Sequence, residues 1–248
     1  MVAVLLDLEG TLFAKEQALP GAVEAVRELR ASGVPVRFLT NIDSRPPRAI
    51  GEQLASYGLD VATAELFTPV TAARVLLGGL LGARVLPVLA RALHGEFADW
   101  IADGPGYTHV LVGDCRDVLD YALLDEAFRA IREGAELVAL QRGRYFRRAD
   151  GDHIDTGAVV AGLEYATGTR AQVLGKPAAD FFLLAARSLG AEITDCLVAG
   201  DDATTDIAGG RAAGARTVQV RTGKYTDQDG DADFTIDSVA DLPRLVIT

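Results

Sequence analysis

Apolar residues in this 248-residue chain fall into short runs, separated by stretches in which they recur at helical spacing. VAVLL at 2–6 is apolar on both faces, the mark of a strand buried in a parallel sheet. After a polar loop, Val23, Val26 and Leu29 recur with helical period between Pro20 and Gly33. That pattern predicts a helix with proline at its first position and glycine just past its end. VPVRFLT (34–40) reads as a second strand, and Arg48 to Tyr57 as a second helix stopped by Gly58. The alternation returns near the C-terminus. AQVLG (171–175) is a strand, Ala178 to Leu189 a helix, DCLVAGD (195–201) a buried strand, Thr204 to Ala213 a helix and RTVQV (216–220) a further strand, before ADFTI and VADLPRLV close the chain. Such alternation predicts an α/β fold with helices on both faces of a parallel sheet.

The middle of the chain has strands of its own (RVLPVL, THVLVGD, ELVAL) and helices at Leu119 to Ile131 and Ala158 to Thr167. A block of this size can hold a separate core. The expected organisation is a discontinuous core domain, 1–67 and 173–248, interrupted by an inserted α/β domain at 68–172.

Composition removes several function classes. With 49% apolar and 24% charged residues the chain can bury a sizeable core, unlike disordered sequences. Thirty-five acidic against 24 basic residues give a formal charge of −11, which disfavours nucleic acid as a partner. Cys115 and Cys196 are too few for a disulfide framework or a four-ligand zinc site and read as free thiols. The most apolar stretch, 72–93, is broken by Arg74, Arg84, Pro87 and Arg91, so no membrane span is expected. The first ten residues lack the features of a secretory signal. A soluble, cytoplasmic protein is the expectation.

Candidate chemistry lies where strands end, since ligands of parallel α/β sheets bind beyond the strands' C-terminal ends. Asp7 and Glu9 follow the first strand, in Asp7-Leu8-Glu9-Gly10-Thr11, and Thr40 and Asn41 follow the second. Lys176 follows the strand at 171–175, while Asp201, Asp202 and Asp206 cluster in GDDATTD. Taken singly these residues stay ambiguous: acids cap loops and helix starts, a lone lysine is often a solvated charge, and threonine at a strand end is commonplace. Several carboxylates converging without basic partners are costly unless a cation joins them, and hard oxygen ligands suit Mg²⁺.

Together, DLEGT, FLTN, GKP and GDDATTD resemble, in order, the four motifs of the haloacid dehalogenase-like (HAD) superfamily of phosphohydrolases. An insertion between the second and third motifs resembles the type IIA cap subfamily. The stretches VLGKPAADFF and VAGDDATTDIAGGRAAGARTVQVRTGKY resemble its phospholysine phosphohistidine inorganic pyrophosphate phosphatase branch. The resemblance implies a Rossmann-like parallel-sheet core with an α/β cap, and a small phosphorylated substrate. It also implies that Asp7 is a nucleophile forming an aspartyl-phosphate. Mg²⁺ would be held by Asp7, the backbone carbonyl of Glu9 and Asp201, supported by Asp206 and in some measure Asp202. Thr40 and Lys176 would bind phosphoryl oxygens, and Asn41 would line the pocket. A homodimer through the cap is among the arrangements the resemblance brings with it.

The sequence departs from the family at Glu9, where the superfamily's phosphatases usually carry an aspartate as general acid–base. One more methylene moves the carboxyl by ~1.5 Å on an unchanged backbone, and a misplacement of about 1 Å can cost ~10²-fold. The expectation is intact metal binding and phosphoryl transfer to Asp7, with turnover weak or skewed towards good leaving groups.

In the inserted block, Asp155, Thr156 and Gly157 read either as cap residues facing the cleft or as an ordinary helix start. QRGRYFRR (141–148) reads either as an anion-attracting patch or as a solvated hairpin. Two further functions compete with the phosphatase: a phosphoryl-binding regulatory protein with impaired catalysis, and a haloacid dehalogenase sharing the nucleophile.

Overall fold

The computed structural model describes residues 2–148, 150–226 and 231–247. The chain divides into two compact units, residues 1–40, 47–67 and 176–248 in one, and 41–46 with 68–175 in the other.

The first unit is built on a six-stranded sheet, all of whose strands are parallel. In chain order they are β1 (Ala3–Asp7), β4 (Val36–Leu39), β5 (Leu66–Phe67), β12 (Cys196–Gly200), β13 (Arg216–Val220) and β14 (Phe234–Ile236). Their spatial order is β14-β13-β12-β1-β4-β5. Every residue of β1 and β12 is buried, as their two-sided apolar sequences predict. A small hairpin, β2 (Phe13–Ala14) with β3 (Gln17–Ala18), follows β1. Helices α1 (Ala22–Ala31), α2 (Pro47–Ser56), α6 (Ala179–Ser188), α7 (Ala208–Ala213) and α8 (Leu242–Val246) complete the unit. In α1, Ala22, Ala25, Val26 and Leu29 form one buried stripe at the i, i+3, i+4, i+7 spacing. Around α6, Phe67, Phe181 and Phe182 pack with ring centroids 5.2 and 5.7 Å apart, a tilted and edge-on cluster of apolar surface.

The second unit has a parallel four-stranded sheet ordered β11-β8-β7-β6, from β6 (Val85–Val88), β7 (His109–Val112), β8 (Glu136–Ala139) and β11 (Gln172–Val173). It also holds α3 (Pro69–Gly78), α4 (Tyr121–Arg132), α5 (Thr156–Thr167) and an antiparallel hairpin, β9 (Tyr145–Arg148) with β10 (Gly151–Ile154). Val110, Val112 and Leu137 of the sheet pack against Ala127 and Ile131 of α4 and Val160 and Leu163 of α5, a core independent of the first.

Four details differ from the sequence reading. The run at 171–175 does not resume the core sheet: β11 pairs with β8, so the unit extends to Gly175. Residues 41–46, expected in the core, pack with the second unit. Pro20 is not the first helical residue, because Gly21 occupies the N-cap of α1. The helix expected over 204–213 opens as a π-helical turn, Ala203–Ile207, before α7 begins. Both cysteines are buried free thiols. Among the described residues no helix is long and apolar enough to cross a membrane.

Candidate active site

The central strands β1 and β12 lie side by side, Leu6 level with Ala199, so Asp7 ends one strand as Asp201 follows the other. On β1's other side Asp7 is level with Leu39, which puts Thr40 one residue beyond on the neighbouring strand end. Chain crossovers leave in opposite directions from this pair of strands, the place where open α/β sheets bind ligands.

Leaving β1, the backbone coils tightly: the Leu8 carbonyl accepts from the amides of Leu12 at 2.8 Å and Phe13 at 3.1 Å. Gly10 stands in that coil at φ +92°, and a Cβ there would lie 2.3 Å from Asp201 Oδ2. Only glycine permits both the left-handed backbone and the carboxylate's approach. The coil leaves the Glu9 side chain exposed, while Asp7, Thr40, Lys176, Asp201 and Asp206 are all buried.

Lys176 ties the carboxylates together. Its Nζ donates to Asp7 Oδ1 at 2.5 Å and to Asp206 Oδ1 at 2.7 Å. Burial alone would lower the lysine's proton affinity, but Asp206 and Asp7 outweigh it and hold the ammonium above its ordinary range. Asp201 and Asp206 are pushed upward, first by burial and then by the charge of Asp7. One oxygen from each of Asp7, Asp201 and Asp206 lies within 4.8 Å of the others. Asp7 Oδ2 is buried and has no hydrogen-bond partner among the described residues. Three buried carboxylates converging at this distance fit a hard divalent cation such as Mg²⁺, which takes oxygen ligands and keeps open positions for substrate.

Asp202 turns away from this group. Its Oδ1 accepts from the amide of Thr204 at 2.9 Å and the hydroxyl at 2.6 Å, and its Oδ2 takes the Lys224 ammonium at 2.9 Å. Although burial opposes it, these donors lower Asp202 to about 2. The expected support for a metal shell from Asp202 is therefore replaced by a helix-capping role.

Two family models match the chain, one described as haloacid dehalogenase-like hydrolase over residues 4–100 and one as HAD-hydrolase-like over 173–242. The chain is 40% identical to haloacid dehalogenase-like hydrolase domain-containing protein 2 of Bos taurus, over 92% of this chain and 87% of that protein. The chain belongs to the haloacid dehalogenase-like hydrolase family. It is also 34% identical to the phospholysine phosphohistidine inorganic pyrophosphate phosphatase of Xenopus laevis, over 92% of this chain and 86% of that protein. Among solved structures, the p-nitrophenyl phosphatase from Archaeoglobus fulgidus superposes with a TM-score of 0.91 at 28% identity, covering 98% of both chains. This HAD protein is of type IIA, and its chemistry is that of a phosphohydrolase.

Within the second unit, Asn41 lies close to Gly175, where a Cβ would meet its Oδ1 at 2.6 Å. Asp155 caps α5, accepting from the Thr156 amide at 2.8 Å, so the helix-start reading of Asp155, Thr156 and Gly157 describes the local structure. The Thr156 hydroxyl donates to Asp43 Oδ2 at 2.7 Å, and Gln141 donates to Asp155 Oδ1 at 2.8 Å. Burial pushes Asp43 up to about 7, with Asp155 and Asp114 adding to the rise. The sequence reading missed Asp43; its one signal was an acid two residues past Asn41, in the loop after a strand. QRGRYFRR supplies the hairpin strand Tyr145–Arg148, with Arg142 paired to Glu164. The side chains of Arg147 and Arg148 lie outside the described residues. The Phe146 ring takes the Arg116 guanidinium at 4.3 Å from its centroid and stacks on the His153 ring with centroids 5.4 Å apart.

Proposed function

We propose that this HAD protein is a Mg²⁺-dependent phosphatase that hydrolyses a small phosphorylated compound through an aspartyl-phosphate on Asp7. The observation that carries the reading is the unpartnered Asp7 Oδ2 beside the buried Lys176. Lys176 fixes Oδ1 and so leaves the other oxygen available, as an attacking atom must be. Relatives named as phosphatases support the same chemistry.

In this mechanism Asp7 Oδ2 attacks phosphorus and the P–O bond to the leaving group breaks in line. The protonated Glu9 carboxyl gives its proton to the departing oxygen. Glu9, now a carboxylate, takes a proton from the water that attacks phosphorus, and the acyl phosphate's P–O bond breaks to release phosphate and restore Asp7. Thr40 and Lys176 bind the phosphoryl oxygens, and Lys176 keeps the acid cluster in balance. Asp7, Asp201 and the Glu9 carbonyl would hold Mg²⁺, with Asp206 behind them; bound there, the cation supplies charge neutralisation at the transferring phosphoryl group. The exposed Glu9 side chain, longer than the family's usual aspartate, limits turnover and favours good leaving groups. The acidic surface disfavours nucleic acid as a partner, while the cationic Lys176 and a bound Mg²⁺ would hold a small phosphorylated compound locally; the expected place of action is the cytoplasm.

Phosphate release from p-nitrophenyl phosphate should require Mg²⁺, stop with EDTA and vanish in Asp7→Asn. Activity that survives Asp7→Asn contradicts the reading. A second reading, a phosphoryl-binding regulatory protein, is favoured by Glu9 alone; it predicts Mg²⁺-dependent capture of beryllium fluoride with no turnover of any phosphate ester.

A further inference from the structure

The loop after β13 reaches back over Asp201 by a route that the four motifs do not contain. Its Lys224 amide donates to Asp201 Oδ2 at 2.6 Å, and the Thr222 hydroxyl donates to the Gly10 carbonyl at 2.5 Å. Gly223 lies between them at φ +57°, where a Cβ would stand 2.0 Å from Asp201 Oδ2 and 2.7 Å from the Gly10 Cα. No side chain fits there, so the backbone itself presses on the carboxylate. The loop is closed by a turn, Tyr225 amide to Thr222 carbonyl at 3.0 Å, and its base is held by Arg221, which pairs with Asp237 at 2.8 Å. On the far side the Lys224 ammonium holds Asp202.

The two oxygens of Asp201 are thereby made unequal. Oδ2 is engaged by a short amide hydrogen bond and enclosed by Gly10 and Gly223. Oδ1 receives a 3.4 Å contact from the Thr11 hydroxyl. A carboxylate held this way offers one oxygen in a fixed direction, which is what the narrow octahedral demand of Mg²⁺ requires. Hydrogen bonds to the non-ligating atom of a metal ligand orient it, and losing one typically costs about 10–100-fold in affinity.

We propose that Thr222, Gly223 and the Lys224 amide form a backbone clasp that positions Asp201 as a single-oxygen ligand for Mg²⁺. Thr222 is the positioning residue that latches the clasp to the Gly10 coil, joining the loop after β13 to the loop after β1. The Lys224 ammonium acts separately and keeps Asp202 out of the ligand set. The clasp rests on the metal-dependent reading given above.

The clasp is tested by Mg²⁺ binding, measured by isothermal titration calorimetry on the full chain, with the melting temperature of the metal-free protein measured alongside. Thr222→Val should weaken Mg²⁺ binding by about tenfold or more with the metal-free melting temperature kept, and Thr222→Ser, which retains the hydroxyl, should bind as the native chain does. In turnover assays Thr222→Val should raise the Mg²⁺ concentration for half-maximal rate and leave the rate at saturating Mg²⁺ nearly recovered. A folded Thr222→Val that binds Mg²⁺ as tightly as the native chain overturns the clasp. So does a Thr222→Val that loses its fold, since a part-exposed latch bonded to the Gly10 carbonyl carries no core. A native chain that takes up no Mg²⁺ overturns the phosphatase reading and the clasp with it, whereas a native chain that binds Mg²⁺ beside a Thr222→Val that binds it equally well overturns the clasp alone.

Discussion

Lys176 Nζ lies 2.5 Å from Asp7 Oδ1 although 169 residues separate them in the chain, and both groups are buried. Their pairing places the two segments of the core domain's sequence at one point. It also leaves Asp7 with one oxygen engaged and one without a hydrogen bond among the described residues.

Removing the ammonium should therefore damage fold and function at once. Lys176→Met leaves Asp7 and Asp206 buried without their counter-charge, a loss of about 3–5 kcal/mol for a broken buried pair. Denaturant unfolding of the metal-free protein should show that loss, and added Mg²⁺ should restore part of it. Phosphatase turnover should fall by roughly 10²-fold or more. An unchanged unfolding midpoint would mean that the pair is not formed in solution.

Shortening Glu9 tests the general acid–base. Glu9→Asp brings the carboxyl back by about one methylene, ~1.5 Å, and should raise turnover by about tenfold or more, most strongly for substrates with poor leaving groups. Mg²⁺ affinity should stay the same, because the backbone carbonyl at position 9 is unaltered. Unchanged or lower turnover across leaving groups of differing pKa counts against Glu9 as the proton donor.

The strands were legible because burial on both faces writes itself as unbroken apolar runs, and Asp7, Lys176 and Asp201 were legible as charges set against the ends of those runs. The sheet to which 171–175 belongs was not: only Gln172 and Val173 pair, and a two-residue ladder leaves no periodicity to read. Asp202 and Asp206 look alike in GDDATTD, yet the π-helical turn aims one at Thr204 and Lys224 and the other at Lys176. The clasp on Asp201 was hidden because its decisive donor is a backbone amide, which carries no residue signature. Gly223 was the single hint, a residue without a side chain where one would collide.

Asp43 gives the second unit a pH dependence with a definite sign. Burial, then the charges of Asp155 and Asp114, raise its carboxyl from 3.8 to about 7, while Thr156 and Gln141 pull it down. A raised folded-state value means that the native state binds the proton more tightly than the unfolded chain, so stability falls as pH rises from about 4 towards 7 and stays lower above it. The rise of about three pH units bounds the effect at roughly 4 kcal/mol. Asp43→Asn should match the native chain near pH 4–5 and exceed it in stability at pH 8, read from unfolding midpoints. Parallel pH profiles for the two proteins would refute this.

A covalent bond between phosphorus and Asp7 is the centre of the proposed mechanism. It is seen most directly by acid quench of the native chain during p-nitrophenyl phosphate turnover, borohydride reduction of any acyl phosphate, and peptide mass spectrometry. Conversion of Asp7 to homoserine, dependent on both substrate and Mg²⁺, is the predicted result. Steady turnover with Asp7 unmodified, or with the label on another residue, would contradict it.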